Sequence, residues 1–223
     1  VRVSGREYNG LIDSPCFRNA TDPTRTLTCF SCHTMHKPDA DTRSIAEWAD
    51  THQIAAGMEG DGACLQCHGA IATNVTAHTK HQAGSTGSTC YNCHMPYTTY
   101  GLLRALRSHQ ISSPTVAASL ETGRPDACNG CHLDKTLAWT SAYLQAWYGT
   151  PPVALGDDER TVAASLLWLL KGDAGQRALA AWSMGWTPAQ QTSGTAWMAV
   201  RSPLPTSARV PPPSVPPVAA TAT

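Results

Sequence analysis

Apolar positions recur with a helical period in only a few stretches of this chain, separated by long segments without any period. Residues 1–28 have little periodicity and contain Gly5, Gly10, Pro15 and Pro23, which predicts an irregular lead-in. The capping box Ser44-Ile-Ala-Glu47 opens a short helix on which Ile45, Trp48, Ala49 and His52 share a face. Ile71, Val75 and His78, with His81 three residues on, fall on one helical stripe, and Leu102, Leu106 and His109 mark a second within Thr99 to Gln110. Asp134 reads as the N-cap of a helix carrying Leu137, Leu144 and Trp147, stopped by Gly149 and Pro151-Pro152. Beyond it, Asp157 to Leu170 and Gln176 to Trp186 predict two amphipathic helices broken at Gly172-Asp173, and Thr187-Pro188 opens a third. Trp168, Trp182, Trp186 and Trp197 supply the apolar mass of this module, as core or as docking surface. Residues 202–223 contain seven prolines, which favours extended polyproline conformation.

Composition narrows the function classes. Sixteen Lys and Arg balance sixteen Asp and Glu, so no net field favours nucleic acid or an anionic membrane. The most apolar run, Val162 to Leu170, is nine residues, whereas a bilayer crossing needs roughly 20. No transmembrane segment is expected. Charged residues are only 14% of the chain, well under the roughly one quarter usual in soluble domains.

Nine cysteines and nine histidines stand out, and eight of the cysteines form four pentads. These are Cys29-Phe-Ser-Cys32-His33, Cys64-Leu-Gln-Cys67-His68, Cys90-Tyr-Asn-Cys93-His94 and Cys128-Asn-Gly-Cys131-His132. At this composition chance supplies about 0.01 such pentads. The spacing suits haem attachment: two thiols add across the porphyrin vinyl groups, and the adjoining imidazole becomes the proximal iron ligand. A zinc ribbon would want its pairs roughly 15 to 20 residues apart, but the gaps here hold 31, 22 and 34 residues and each pair carries its own histidine. Four haem c groups on residues 29–132 leave 26 residues for each, so the macrocycles form most of that core. The ninth cysteine, Cys16, reads as a small buried apolar group or as half of a disulfide whose partner lies outside the chain.

Proximal ligation uses His33, His68, His94 and His132, leaving His36, His52, His78, His81 and His109. His36 is too close to His33 to reach the opposite face of the same haem, so it is expected on a neighbouring one. His78, His81 and His109 sit on helical stripes, and pattern alone leaves His52 open. Met35 and Met95 point away from the irons beside them, so low-potential, low-spin bis-histidine haems are expected.

The stretch from Cys90 to Gly149 resembles a family of bacterial multihaem c-type cytochromes. The resemblance rests on Cys-Tyr-Asn-Cys-His-Met-Pro-Tyr-Thr-Thr-Tyr-Gly-Leu-Leu, Arg107-Ser-His-Gln-Ile, Gly123-Arg-Pro-Asp-Ala-Cys-Asn-Gly-Cys-His-Leu-Asp-Lys and Trp147-Tyr-Gly. Gly5-Arg-Glu-Tyr-Asn-Gly, Cys29 to Lys37 and the pair His78 and His81 extend it. It implies an exported electron carrier with His36, His78, His81 and His109 as distal ligands. It also implies longer relatives whose helical module continues as HEAT-like repeats, so that the chain is a fragment or a truncated relative.

The expected architecture is therefore mainly α with much irregular coil. An N-terminal lead-in (1–28) precedes a tetrahaem cytochrome c domain (29–150), a small helical HEAT-like module (157–201) and a Pro-rich tail (202–223). The expected function is electron transfer to redox partner proteins in the periplasm or at the cell surface, not catalysis, with an export signal ahead of Val1. Two alternatives differ in class: an extracellular filament in which a distal histidine passes between copies, and a reductase of a small nitrogen compound, which needs an iron with an open site.

Overall fold

A computed structural model of the chain describes residues 7–20, 26–100 and 104–193. Gly5, Pro23, Leu102, Trp197 and the proline-rich residues 202–223 lie outside them. The described residues form thirteen helices and one two-stranded sheet, a mainly helical fold. No described helix is long and apolar enough to cross a membrane.

The start of the chain is more regular than its glycines and prolines suggest. It forms α1 (Glu7–Ile12) and α2 (Pro15–Arg18), with Pro15 in the first turn of α2, where its missing N–H costs nothing. Gly10 is needed for contact: a Cβ there would come within 2.7 Å of the Gln110 nitrogen. Fully buried Ser14 completes that junction, donating to the carbonyls of Gly10 and His109 and accepting from the Ile111 N–H.

Helix α3 (Ile45–Asp50) forms behind the expected capping box, with both reciprocal bonds between Ser44 and Glu47 present. Its apolar face is only partly used: Trp48 is buried and its indole N–H donates to Thr34, while Ile45 is 74% exposed. The expected continuous stripe from Ile71 to His81 is broken. Helix α4 (Gly62–Ala72) is kinked at His68, α5 (Val75–Thr79) follows, and Lys80 adopts a left-handed conformation at φ 59°. His81 therefore lies beyond the helix that carries His78.

After α6 (Cys90–His94) comes the clearest departure from the sequence expectation. The region read as a helix over Thr99 to Gln110 is an antiparallel hairpin of β1 (Tyr97–Tyr100) and β2 (Arg104–Arg107), registered Tyr97 with Arg107 and Thr98 with Leu106. The aromatic and β-branched run Tyr-Thr-Thr-Tyr suits a pleated strand, and this outweighs the spacing of Leu106 and His109. Helix α7 (Val116–Thr122), capped by Thr115 and ended by left-handed Gly123, carries no strong sequence signal. Helix α8 (Ala127–Cys131) follows.

Helix α9 (Leu137–Tyr148) ends at left-handed Gly149 as expected, but its N-cap is Thr136, whose hydroxyl accepts from the Trp139 N–H. Asp134 pairs with Lys135 instead. The single helix expected from Asp157 is two, α10 (Asp157–Thr161) and α11 (Ala164–Lys171). Tertiary bonds set that break, since the Ala164 N–H donates to Lys135 and the Ser165 hydroxyl to Leu133. Helix α12 (Ala174–Gly185) starts from an Asp173–Gln176 capping box, and α13 (Thr187–Ser193) opens at Thr187-Pro188 as expected. The apolar core joins Val116, Leu137, Ala164, Trp168 and Ala180.

Candidate haem centres

Each pentad is built on a short helical turn. His33 and His132 donate their backbone N–H to Cys29 and Cys128 at 2.9 and 2.8 Å, so both cysteines of a motif and the following histidine share one local scaffold. A residue and its third neighbour lie on the same side of such a turn, which presents the two thiols together. No disulfide joins any of the nine cysteines, Cys16 included. Burial, reinforced by Asp61, pushes Cys90 up to about 12, and burial with the charge of Asp126 pushes Cys93 up to about 11. At Cys90 and Cys93 this favours the neutral thiol over the thiolate.

The motifs follow one another through space in chain order. Gln66 of the second donates to the Ser31 carbonyl of the first at 2.9 Å. Asp61, ahead of the second, accepts from the backbone N–H of Cys90 in the third at 2.9 Å. The third and fourth meet where α6 packs on α8.

The decisive geometry is that of the imidazoles. His33 faces His109 with ring centres 6.3 Å apart, His94 faces His78 at 6.1 Å, and His132 faces His81 at 6.1 Å. Metal–imidazole bonds of about 2.0 Å on opposite sides of one metal put two ring centres about 6 Å apart. In each pair one ring belongs to a pentad and the other comes from a distant segment, so the donor set fits a metal ligated above and below. Among the described residues no group of three or more His, Cys, Asp or Glu converges as a bare ion would require.

Ring orientation is fixed from behind. Nδ1 of His33 lies 2.9 Å from the His52 carbonyl, that of His94 3.2 Å from Ser112, that of His81 2.6 Å from Thr79 and that of His109 3.3 Å from Arg107. A carbonyl can only accept, so each Nδ1 carries the proton and Nε2 keeps its lone pair for a metal. Burial lowers the pKa values of His94, His109 and His132, which favours the neutral, ligating form. Gly87 is pressed against His81, where a Cβ would come within 2.2 Å of the ring.

The remaining expected ligands are not brought together. His68 sits at the kink of α4, and both His68 and His36 are exposed, without a ring contact to each other among the described residues. His52 is exposed at φ 56° and contributes its carbonyl to His33.

Sequence reasoning missed a second set of residues. Trp139 packs on His132 at 5.0 Å, and Tyr143 and Trp147 continue the ladder along α9 at 4.7 and 4.6 Å. At its end the Tyr148 hydroxyl donates to the His78 carbonyl at 2.6 Å. The spacing of Trp139, Tyr143 and Trp147 by fours was a readable signal; the carbonyls of His52, Thr79 and Ser112 left none.

Imidazole pairs at this separation, each with one ring from a pentad, suit ligation of haem iron from both sides. Residues 77–146 match the family model for cytochrome c552. That segment holds two pentads, His94 and His132 among their residues, together with His78, His81 and His109. The match supports a c-type cytochrome and haem-based electron transfer. No curated protein and no solved structure gives a match to this chain.

Proposed function

We propose that the chain is an exported tetrahaem cytochrome c that relays electrons along four covalently attached haems. The pairs Cys29 and Cys32, Cys64 and Cys67, Cys90 and Cys93, and Cys128 and Cys131 hold the porphyrins, and His33, His68, His94 and His132 are the proximal ligands. Distal ligation is by His109 opposite His33, His78 opposite His94 and His81 opposite His132. Bound haem supplies a one-electron iron couple. The polypeptide fixes its spacing, its ligands and its exposure. The observation that carries this reading is the set of three facing imidazole pairs at 6.1–6.3 Å. The succession of motifs through space supports a relay in the order of the sequence.

The intact mass of denatured protein tests attachment, and the electron paramagnetic resonance spectrum of the ferric protein tests ligation. Four haems and a wholly low-spin signal are expected. A mass equal to the bare chain would overturn the proposal.

A second reading concerns the haem on Cys64 and Cys67. With His78, His81 and His109 assigned, His36 is the expected distal ligand left within the chain for the haem of His68, but both rings are exposed. In the second reading that ligand comes from another copy, and the protein assembles into a filament. Electron microscopy separates the two, with fibres supporting donation between copies and single low-spin particles supporting His36. A high-spin ferric signal would favour an open site and the reductase reading instead.

A further inference from the structure

The side chain of Arg107 is half-buried at the base of the third pentad. Its guanidinium lies 3.9 Å from the ring centre of Tyr97 and 4.6 Å from that of Tyr91. It donates to the carbonyls of Tyr91 and Met95 at 3.3 and 3.4 Å and to Oδ1 of Asn92 at 2.5 Å. Tyr91 and Asn92 are the two residues between Cys90 and Cys93, and Met95 follows His94, so the cation is fastened directly to the turn that would carry the third haem. Tyr97 is held in turn by Trp182 at 4.3 Å and Trp186 at 5.4 Å, which fixes the sandwich against α12.

The side chains and carbonyls of the described residues that meet this guanidinium are neutral. Among the described residues no carboxylate pairs with it, whereas Arg18, Arg43 and Arg160 each have an acid partner. Burying a cation without an anion is costly, and stacking on two tyrosine faces offsets only part of that cost. Its field also reaches Cys93 and Cys131, on the third and fourth pentads. Arginine stays charged throughout the accessible pH range, so the charge is permanent.

We propose that Arg107 is a fixed, half-buried cation that raises the reduction potential of the haem attached to Cys90 and Cys93, making that haem a resting place for the electron along the relay. An added electron lowers the charge of the iron centre, so a nearby positive charge favours the reduced state. The inference rests on the haem reading above and gives Arg107 a tuning role, since it touches the attachment turn and not the metal.

The experiment is a spectroelectrochemical titration of haem-loaded full-length protein, with intact mass recorded for each variant. In Arg107→Gln one midpoint falls, the reduced-to-oxidised ratio of that haem at fixed potential dropping roughly tenfold, or about 59 mV for one electron. Asn92→Asp keeps the arginine but sets an isosteric negative charge beside it, and it lowers the same midpoint. Arg107→Lys, which keeps the charge, restores most of the wild-type value, a result that a purely structural role would not produce. Should Arg107→Gln fail to accumulate with four haems, Asn92→Asp decides alone. Unchanged midpoints in a variant whose mass shows four haems would overturn the tuning role. Wild-type protein without haem would overturn the haem reading itself.

Discussion

Residues 29–94 and residues 116–193 are held together by different means. In the first region, which carries three of the four pentads, Trp48 is the one buried apolar side chain, and order comes from turns, short helices and polar staples. The second buries Val116, Leu133, Leu137, Leu144, Ala164, Trp168, Leu179, Ala180 and Ala189. Its fully buried Asn129 and Thr140 are bonded to each other at 2.7 Å, and the Asn129 amide donates to Lys135. A segment with so little apolar burial cannot offset its conformational entropy from its own side chains. On the proposed tetrahaem reading its stability comes from the haems that its cysteines and histidines hold, whereas the helical region can draw on a core of its own.

On that reading the largest expected effect follows from withholding haem. In apoprotein produced without haem attachment, amides of residues 29–94 exchange hydrogen at close to unfolded rates, while α11 and α12 stay at least roughly 100-fold slower. Equal protection in both regions would erase the contrast. The converse perturbation is Trp168→Ala, which removes the largest side chain of the helical core. It should destabilise that core by about 3–5 kcal/mol, read by denaturant unfolding of the helical signal. Four haems, their low-spin spectrum and their midpoints should be retained.

The same contrast explains what was legible in the sequence. The pentads stand out as a pattern because their chemistry is local: two thiols and an imidazole within five residues. The C-terminal helices could be read because amphipathic period and caps such as Asp173–Gln176 are also local. What failed was set at long range. The pairing of His33 with His109 depends on a hairpin and on a junction with Ser14 and Gly10, which helical spacing alone did not reveal. The Asp134 cap lost to Thr136, and the helix from Asp157 broke because bonds from the Ala164 N–H to Lys135 and from the Ser165 hydroxyl to Leu133 prevailed over amphipathic period. His78 and His81 reach different partners because Lys80 turns the chain left-handed between them, a conformation that a lysine does not announce.

An intermediate effect is expected where the N-terminal helices clamp the segment bearing His109. Ser14→Ala leaves the part-buried Ile111 N–H and the His109 carbonyl without their side-chain partner, at a cost of about 1–3 kcal/mol. Because the junction holds the segment bearing His109, one low-spin ferric component should broaden or shift while the others remain. A change spread evenly over all four haems would mean that Ser14 acts on overall stability and not on one ligand.

The smallest effect tests the polar staples of the first region. Arg43 gathers Asp41 at 2.6 Å, the Thr51 hydroxyl at 3.0 Å and the Ile54 carbonyl at 3.3 Å, close to the strand bridge between His33 and Ile54. Hydrogen bonds from the Arg43 side chain and backbone lower Asp41 from 3.8 to about 2. A carboxylate depressed by folding contributes stability above its unfolded pKa and loses that contribution as pH falls through the folded one. Wild type should therefore resist urea better than Asp41→Asn at pH 6, with the gap closing as pH falls from about 4 toward 2. Hydrogen exchange should place this difference in residues 29–61 and leave α11 and α12 unaffected. A pH-independent gap, or one centred in the helical core, would show that the haem-bearing region is not organised by this staple.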